Sequence, residues 1–128
     1  MADTTGENPV QPRCIGDTAI IYAGEYLNKL SGERIERECT RQLESGCRAL
    51  VINFHDTELV NSIGVSILMG VIDATEKNKA RLIFSDVNGH TAKLFEMLGL
   101  TRHVSLVQDE TEALSLAHQQ ANAAGTTG

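Results

Sequence analysis

The sequence predicts a single α/β domain: a small mixed, mostly parallel β-sheet of four or five strands with about four helices packed on it. Three observations carry that prediction. Aliphatic and β-branched runs alternate with stretches of helical period in the order β-α-β-α-β-α-β-α, and alternation of this kind implies parallel strands joined by covering helices. The run Ala49 to Phe54 (ALVINF) is almost continuously apolar, which suits a strand buried on both faces. The 128 residues are 41% apolar but only 4% aromatic, with no Trp, so the chain affords one core and that core is aliphatic.

Residues 1–12 are polar and hold both prolines, and they read as a flexible tail before a domain over residues 13–118. The first strand is Thr18 to Tyr22 (TAIIY), stopped by Ala23-Gly24. A helix over about Ser31 to Glu44 places Ile35, Cys39 and Leu43 on one stripe, opposite a solvated face of Glu33, Arg34, Arg37, Glu38, Arg41 and Glu44. Gly46 ends it. After the central strand, HDTELV reads as a loop into a second helix over Ser62 to Asn78. Arg81 to Ser85 (RLIFS) is a further buried strand, and His90 to Leu98 a third helix with Gly99 as its left-handed cap, so that Leu100 folds back on Phe95. A last strand, Val104 to Val107, and a last helix, Glu110 to Gln119, precede a small, polar, flexible tail over 119–128.

Composition excludes several function classes. A formal charge of −6 and a pI near 5.1 argue against nucleic acid or an anionic membrane as the main partner. No stretch reaches the roughly 18 apolar residues of a membrane span, and the N-terminus lacks the basic and apolar regions of a secretory signal. Cys14, Cys39 and Cys47 form no CxxC pair and are odd in number, which fits a reducing cytosol rather than a disulfide framework. His55, His90, His103 and His118 are scattered without ligand spacing, so no metal or other cofactor is expected. Phosphate-cradling and nucleophile-elbow motifs are missing, and nothing recognisable orients a Ser62/His55 pair, so the chain does not read as an enzyme.

The informative segment is VNSIGVSILMGVIDATEKNK. At 100° per residue from Ser62, Gly64, Ile67, Leu68, Val71 and Ala74 cluster on the far side, the expected buried face. Val65, Ser66, Met69, Asp73 and Glu76 fall within about 60° of Ser62 on that same geometry. Val65 and Met69 are therefore expected in water, where folding does not require them to be apolar, and they suggest a docking face with Ser62 at its rim. At the start of a helix a serine is ordinarily the N-cap. A phosphate there is tolerated because helix N-termini favour anions, yet it would bring nearly two negative charges into an apolar contact.

The segment ALVINFHDTELVNSIGVSILMGVIDA resembles the signature of STAS domains, the anti-sigma factor antagonist family: an aliphatic strand, an acidic residue, a short loop and Asp-Ser-Ser-Gly-Leu opening a helix. The spacing matches without a gap from Asn53 to Gly64. Gly24-Glu25 resembles the family's Gly-Glu-Leu turn, and RLIFSDVNGHTAKLFEMLGLTRHVSLVQDETEAL its later elements. Asn53, Asn61 and Ile63 stand where the family often has Asp, Asp and Ser. The resemblance implies a mixed sheet with its first strand antiparallel and helices on one side. It implies a cytoplasmic bacterial protein; the alternation and length lead us to expect a monomer or weak homodimer. Unphosphorylated, it would bind an anti-sigma factor serine kinase of the histidine-kinase-like ATPase type and so free a sigma factor. Ser62 maps to the phosphoacceptor, and a phosphatase would restore it. The partner-binding set is then Gly24, Glu25, Asn61, Ser62, Val65, Ser66, Met69 and Asp73. Relatives without the switch serve as scaffold subunits of stress-signalling complexes or of lipid or anion transport systems, which is the alternative reading.

Overall fold

The computed structural model describes residues 11–127, with side chains through Gln119. Residues 1–10 of the expected N-terminal tail lie outside the described residues. The five-stranded sheet has the order β1 (Arg13–Ile15), β2 (Thr18–Tyr22), β4 (Ala49–Asn53), β6 (Arg81–Ser85), β7 (Ser105–Val107). Strands β2, β4, β6 and β7 run parallel; Thr18 to Tyr22 pair in register with Ala49 to Asn53, and these with Arg81 to Ser85. The antiparallel first strand that the resemblance implies is β1, not the TAIIY run, and its partner is β2. A second, two-stranded sheet joins β3 (Tyr26–Leu27) to β5 (Leu59–Val60) in parallel. HDTELV, expected to be all loop, therefore ends in a strand. Elements of two or three residues are too short to show a period.

The middle residues of the central strands are apolar because helices cover both faces. Ala19, Ile21, Leu50, Ile52, Leu82 and Phe84 share one core with α1 (Lys29–Glu44), α2 (Ser62–Lys77) and α3 (Gly89–Met97). Phe54, Phe84 and Phe95 meet there edge to face, with ring centroids 5.0–5.5 Å apart. The alternate residues Ile20, Val51 and Ile83 pack on Ala113 and Ala117 of α4 (Glu110–Thr127). Helices thus lie on two sides of the sheet, not one as the resemblance implies. Small alanines let α4 approach closely. Helix α4 also continues to Thr127, past its expected end at Gln119 and through Gly125, because Ala121, Ala123 and Ala124 are strong helix formers.

Three helices begin on an asparagine cap. The Asn28 side chain accepts from Ser31 N–H, which completes a capping box; Asn61 accepts from Gly64 N–H, and Asn88 from Thr91 N–H. Ser31 is therefore the third residue of α1 rather than its start, and α3 starts one residue earlier than expected. Gly99 is left-handed at φ 83, and Leu100 joins Phe95 in the core.

Candidate functional site

The site is assembled at the carboxyl edge of the sheet, where open parallel sheets present their loops. Strand β4 ends on Asn53, which is buried, and its amide is used at both ends. The side-chain oxygen accepts from His55 N–H at 2.7 Å, and the nitrogen donates to Glu110 at 2.7 Å. The other oxygen of Glu110 binds Arg13 at 2.8 Å. An aspartate at 53 would set a carboxylate against Glu110, so this environment asks for the amide that distinguishes the position.

From there the loop is held by the turn after β2. Thr57, buried, donates its hydroxyl to the Gly24 carbonyl at 2.5 Å. The backbone N–H groups of Glu58 and Leu59 both reach the Glu25 carbonyl, at 2.8 and 3.2 Å. Gly24 sits at φ +90, a left-handed conformation that glycine adopts without strain. Its neighbour Ala23 gives its carbonyl to Arg34 at 2.8 Å. Gly24 and Glu25 are thus positioning residues whose backbone carries the loop to the helix start; the Glu25 side chain is exposed.

At the helix start Asn61 takes the role expected of Ser62. Its oxygen caps Gly64 N–H at 2.9 Å, its own N–H donates to the Leu27 carbonyl at 2.9 Å, and its side-chain nitrogen reaches the Tyr26 hydroxyl at 3.3 Å. Ser62 is therefore not the cap. It is the first residue inside the helix, exposed, with a hydroxyl the cap does not need. Gly64 is pressed on β3: a Cβ there would stand 2.7 Å from the Leu27 carbonyl oxygen.

Along α2 the structure corrects the helical phase. Val65, expected in water, is 4% exposed and belongs to the main core. The buried residues are Gly64, Val65, Leu68, Val71, Ile72 and Thr75, while Ile67 and Ala74 are half-buried. The helix packs on the sheet on one side and on α1 on another, where Ile67 crosses Gly32 so closely that a Cβ would come within 3.1 Å of it. Two neighbours widen the buried arc and turn it toward Val65. Met69 remains 44% exposed, and Ser66 and Asp73 are exposed as expected, with Asp73 paired to Lys77 at 3.2 Å.

Sequence reasoning missed the exposed apolar residues near this helix start. Ile63 is 53% exposed and Leu59 60% exposed; Tyr26, paired with Leu59 across β3 and β5, is exposed too. Tyr26, Leu30, Lys29, Glu33, Asn28 and Asn61 line a shallow hollow of about 360 Å³ beside the helix start. An available signal was Ile63 itself, an apolar residue at the first turn on neither buried side.

Among the described residues no histidine is hydrogen-bonded to Ser62. The His55 ring is bonded to Asp56 at 3.0 Å, and that bond raises its pKa, with Asp86 adding a smaller push. His103 is engaged with Glu76 at 2.9 Å. Among the described residues no group of three or more His, Cys, Asp or Glu could hold a metal ion, and no helix is long and apolar enough to cross a membrane.

A family model described as STAS domain matches residues 9–113. Solved structures of the same fold include an anti-sigma factor antagonist from Mycobacterium paratuberculosis, 16% identical, covering 84% of this chain and 92% of that one at a TM-score of 0.72. The phosphorylated form of the Bacillus cell fate determinant SpoIIAA is 21% identical, covers 82% and 96%, and gives a TM-score of 0.66. A sulfate transporter family protein from Wolinella succinogenes is 12% identical, covers 86% and 92%, and gives 0.77. At these identities the likeness shows the fold alone.

Proposed function

The chain belongs to the STAS domain family, and from that premise we propose that it is a cytoplasmic anti-sigma factor antagonist switched by phosphorylation of Ser62. The unphosphorylated form binds an anti-sigma factor serine kinase and so releases a sigma factor; a phosphatase reverses the modification. The protein acts by being bound and catalyses nothing itself. The observation that carries the reading is the placement of Ser62: exposed, uncommitted to the cap, and next to exposed Ile63, Leu59 and Tyr26. The docking set is Asn61, Ser62, Ile63, Ser66, Met69 and Asp73, with Leu59 and Tyr26 beside it. A phosphate on Ser62 leaves the Asn61 cap intact, gains from the helix dipole, and places about two negative charges amid an apolar contact. A protein of this fold is known in a phosphorylated form, SpoIIAA, which supports the reading.

Incubation with an anti-sigma factor serine kinase and Mg-ATP, followed by peptide mass spectrometry, tests it. Phosphate on Ser62, abolished in Ser62→Ala, is the expected result; phosphate only on Ser66 or Thr57 would refute it. The second reading is a scaffold subunit without a switch, in a stress-signalling or transport assembly. Ile63 and Asn61, which depart from the family's Ser and Asp, favour it, as does the likeness to the Wolinella protein. It requires that Ser62 take no phosphate.

A further inference from the structure

The three cysteines are of two kinds. Cys39 lies in the buried stripe of α1, and burial pushes its thiol up to about 12, so it stays protonated and shielded. Cys14 is exposed on the edge strand β1, and Cys47 is half-buried in the turn between α1 and β4. Remote in sequence, these two thiols share one acceptor. Cys14 Sγ lies 3.6 Å and Cys47 Sγ 3.5 Å from the side-chain oxygen of Gln42. The sulfurs can be no farther apart than those two distances laid end to end.

Topology produces this meeting. Cys14 pairs across the antiparallel ladder with Ala19, and paired residues share a face. Ala19 faces the core that α1 covers, so Cys14 points toward α1 as well. Gln42 is in the last turn of α1, and its carbonyl accepts from Cys47 N–H at 3.0 Å, which fixes the turn beside it. Arg13, one residue earlier, faces the other side and binds Glu110 of α4.

We propose that Cys14 and Cys47 are a peroxide-responsive thiol pair that closes a reversible disulfide between β1 and the turn after α1. The exposed Cys14 is oxidised first. Its thiolate attacks hydrogen peroxide; an S–O bond forms, the O–O bond breaks, and the leaving hydroxide is protonated to water. The Cys47 sulfur then attacks the Cys14 sulfur. The S–S bond forms, the S–O bond breaks, and a second water leaves with the Cys47 proton. Two thiols supply the two electrons that peroxide accepts, and a small dithiol reverses the bond. Burial, with Cys14 and Asp17 nearby, raises the Cys47 thiol, which disfavours it for the first attack on peroxide. A disulfide requires Cα atoms within about 7 Å. Any shift that the bond requires falls on strand β1, three exposed residues paired on one edge alone, rather than on the packed turn after α1.

The test treats the full chain with hydrogen peroxide, blocks remaining thiols by alkylation, and maps unreduced peptides by mass spectrometry. The expected product is a Cys14–Cys47 linked peptide, lighter by two hydrogens, abolished by dithiothreitol, with Cys39 alkylated. In Cys47→Ser, Cys14 should accumulate as a sulfenic acid that a dione probe traps; in Cys14→Ser, no linked peptide should form. Links only between Cys14 residues of two molecules, a link to Cys39, or Cys14 oxidised past the sulfenic acid with no internal link would each overturn the proposal.

Discussion

Helices α2 and α3 begin alike and present different surfaces. Each starts at the carboxyl edge of the sheet behind an asparagine whose side-chain oxygen caps the N–H three residues on, at 2.9 Å for Asn61 and 2.8 Å for Asn88. Each N-terminus carries the same partial positive charge. The difference lies in the residues beyond the cap. After Asn61 comes an exposed hydroxyl, then exposed Ile63, with Leu59 and Tyr26 alongside; after Asn88 come Gly89 and the exposed, polar His90. The seating differs too, since Gly64 is jammed against the Leu27 backbone while a Cβ on Gly89 would meet nothing within 4 Å. A capped helix start is therefore ordinary structure. A site needs, in addition, a reactive group the cap does not consume and a surface that a partner can cover.

The largest effects are expected inside α2. Val65→Glu would bury an unpaired charge and should cost about 3–5 kcal/mol, whereas Met69→Glu, half in water, should stay within about 0.5 kcal/mol and instead weaken partner binding. Thermal unfolding paired with calorimetric titration separates the two; equal losses of stability would return Met69 to the core. Next in size is a matched pair at the two helix starts. Gly64→Ala should lose about 1–3 kcal/mol by overpacking, while Gly89→Ala should gain about 0.5 kcal/mol by restricting the unfolded chain. Denaturant midpoints that move the same way for both would show that α2 is not seated as described. A smaller loss than at Gly64 is expected at the caps. Asn61→Ala and Asn88→Ala should each cost about 1 kcal/mol of stability, the usual worth of a cap, but only Asn61→Ala should also reduce affinity for the kinase.

Much of this was legible in the sequence, for particular reasons. Long apolar runs such as ALVINF and the Ile35–Cys39–Leu43 stripe announce their elements because burial on one or two faces fixes their period. The gap-free stretch from Asn53 to Gly64 points to the start of α2, which the structure places at Ser62. Phase and cap are harder to read. Val65 is core because α2 meets both the sheet and α1, and a one-sided helical wheel cannot represent two burying surfaces. Serine caps well, which favours Ser62 on sequence alone, but asparagine caps equally, and the extended backbone of Asn61, φ −114 and ψ 168, puts it first. Strands β1, β3 and β5 are illegible since their pairing is set by the loops they join rather than by any pattern of their own.

The proposed switch requires that charge on Ser62 disable docking without disturbing the fold. The decisive measurement is calorimetric titration of an anti-sigma factor serine kinase with the wild type, Ser62→Ala and Ser62→Asp, with melting temperatures taken on the same preparations. Ser62→Ala should bind like the wild type, and Ser62→Asp should lose tenfold or more in affinity, about 1.4 kcal/mol, at an unchanged melting temperature. Equal affinity for all three forms, or a loss in Ser62→Asp matched by a fall in melting temperature, would rule the switch out.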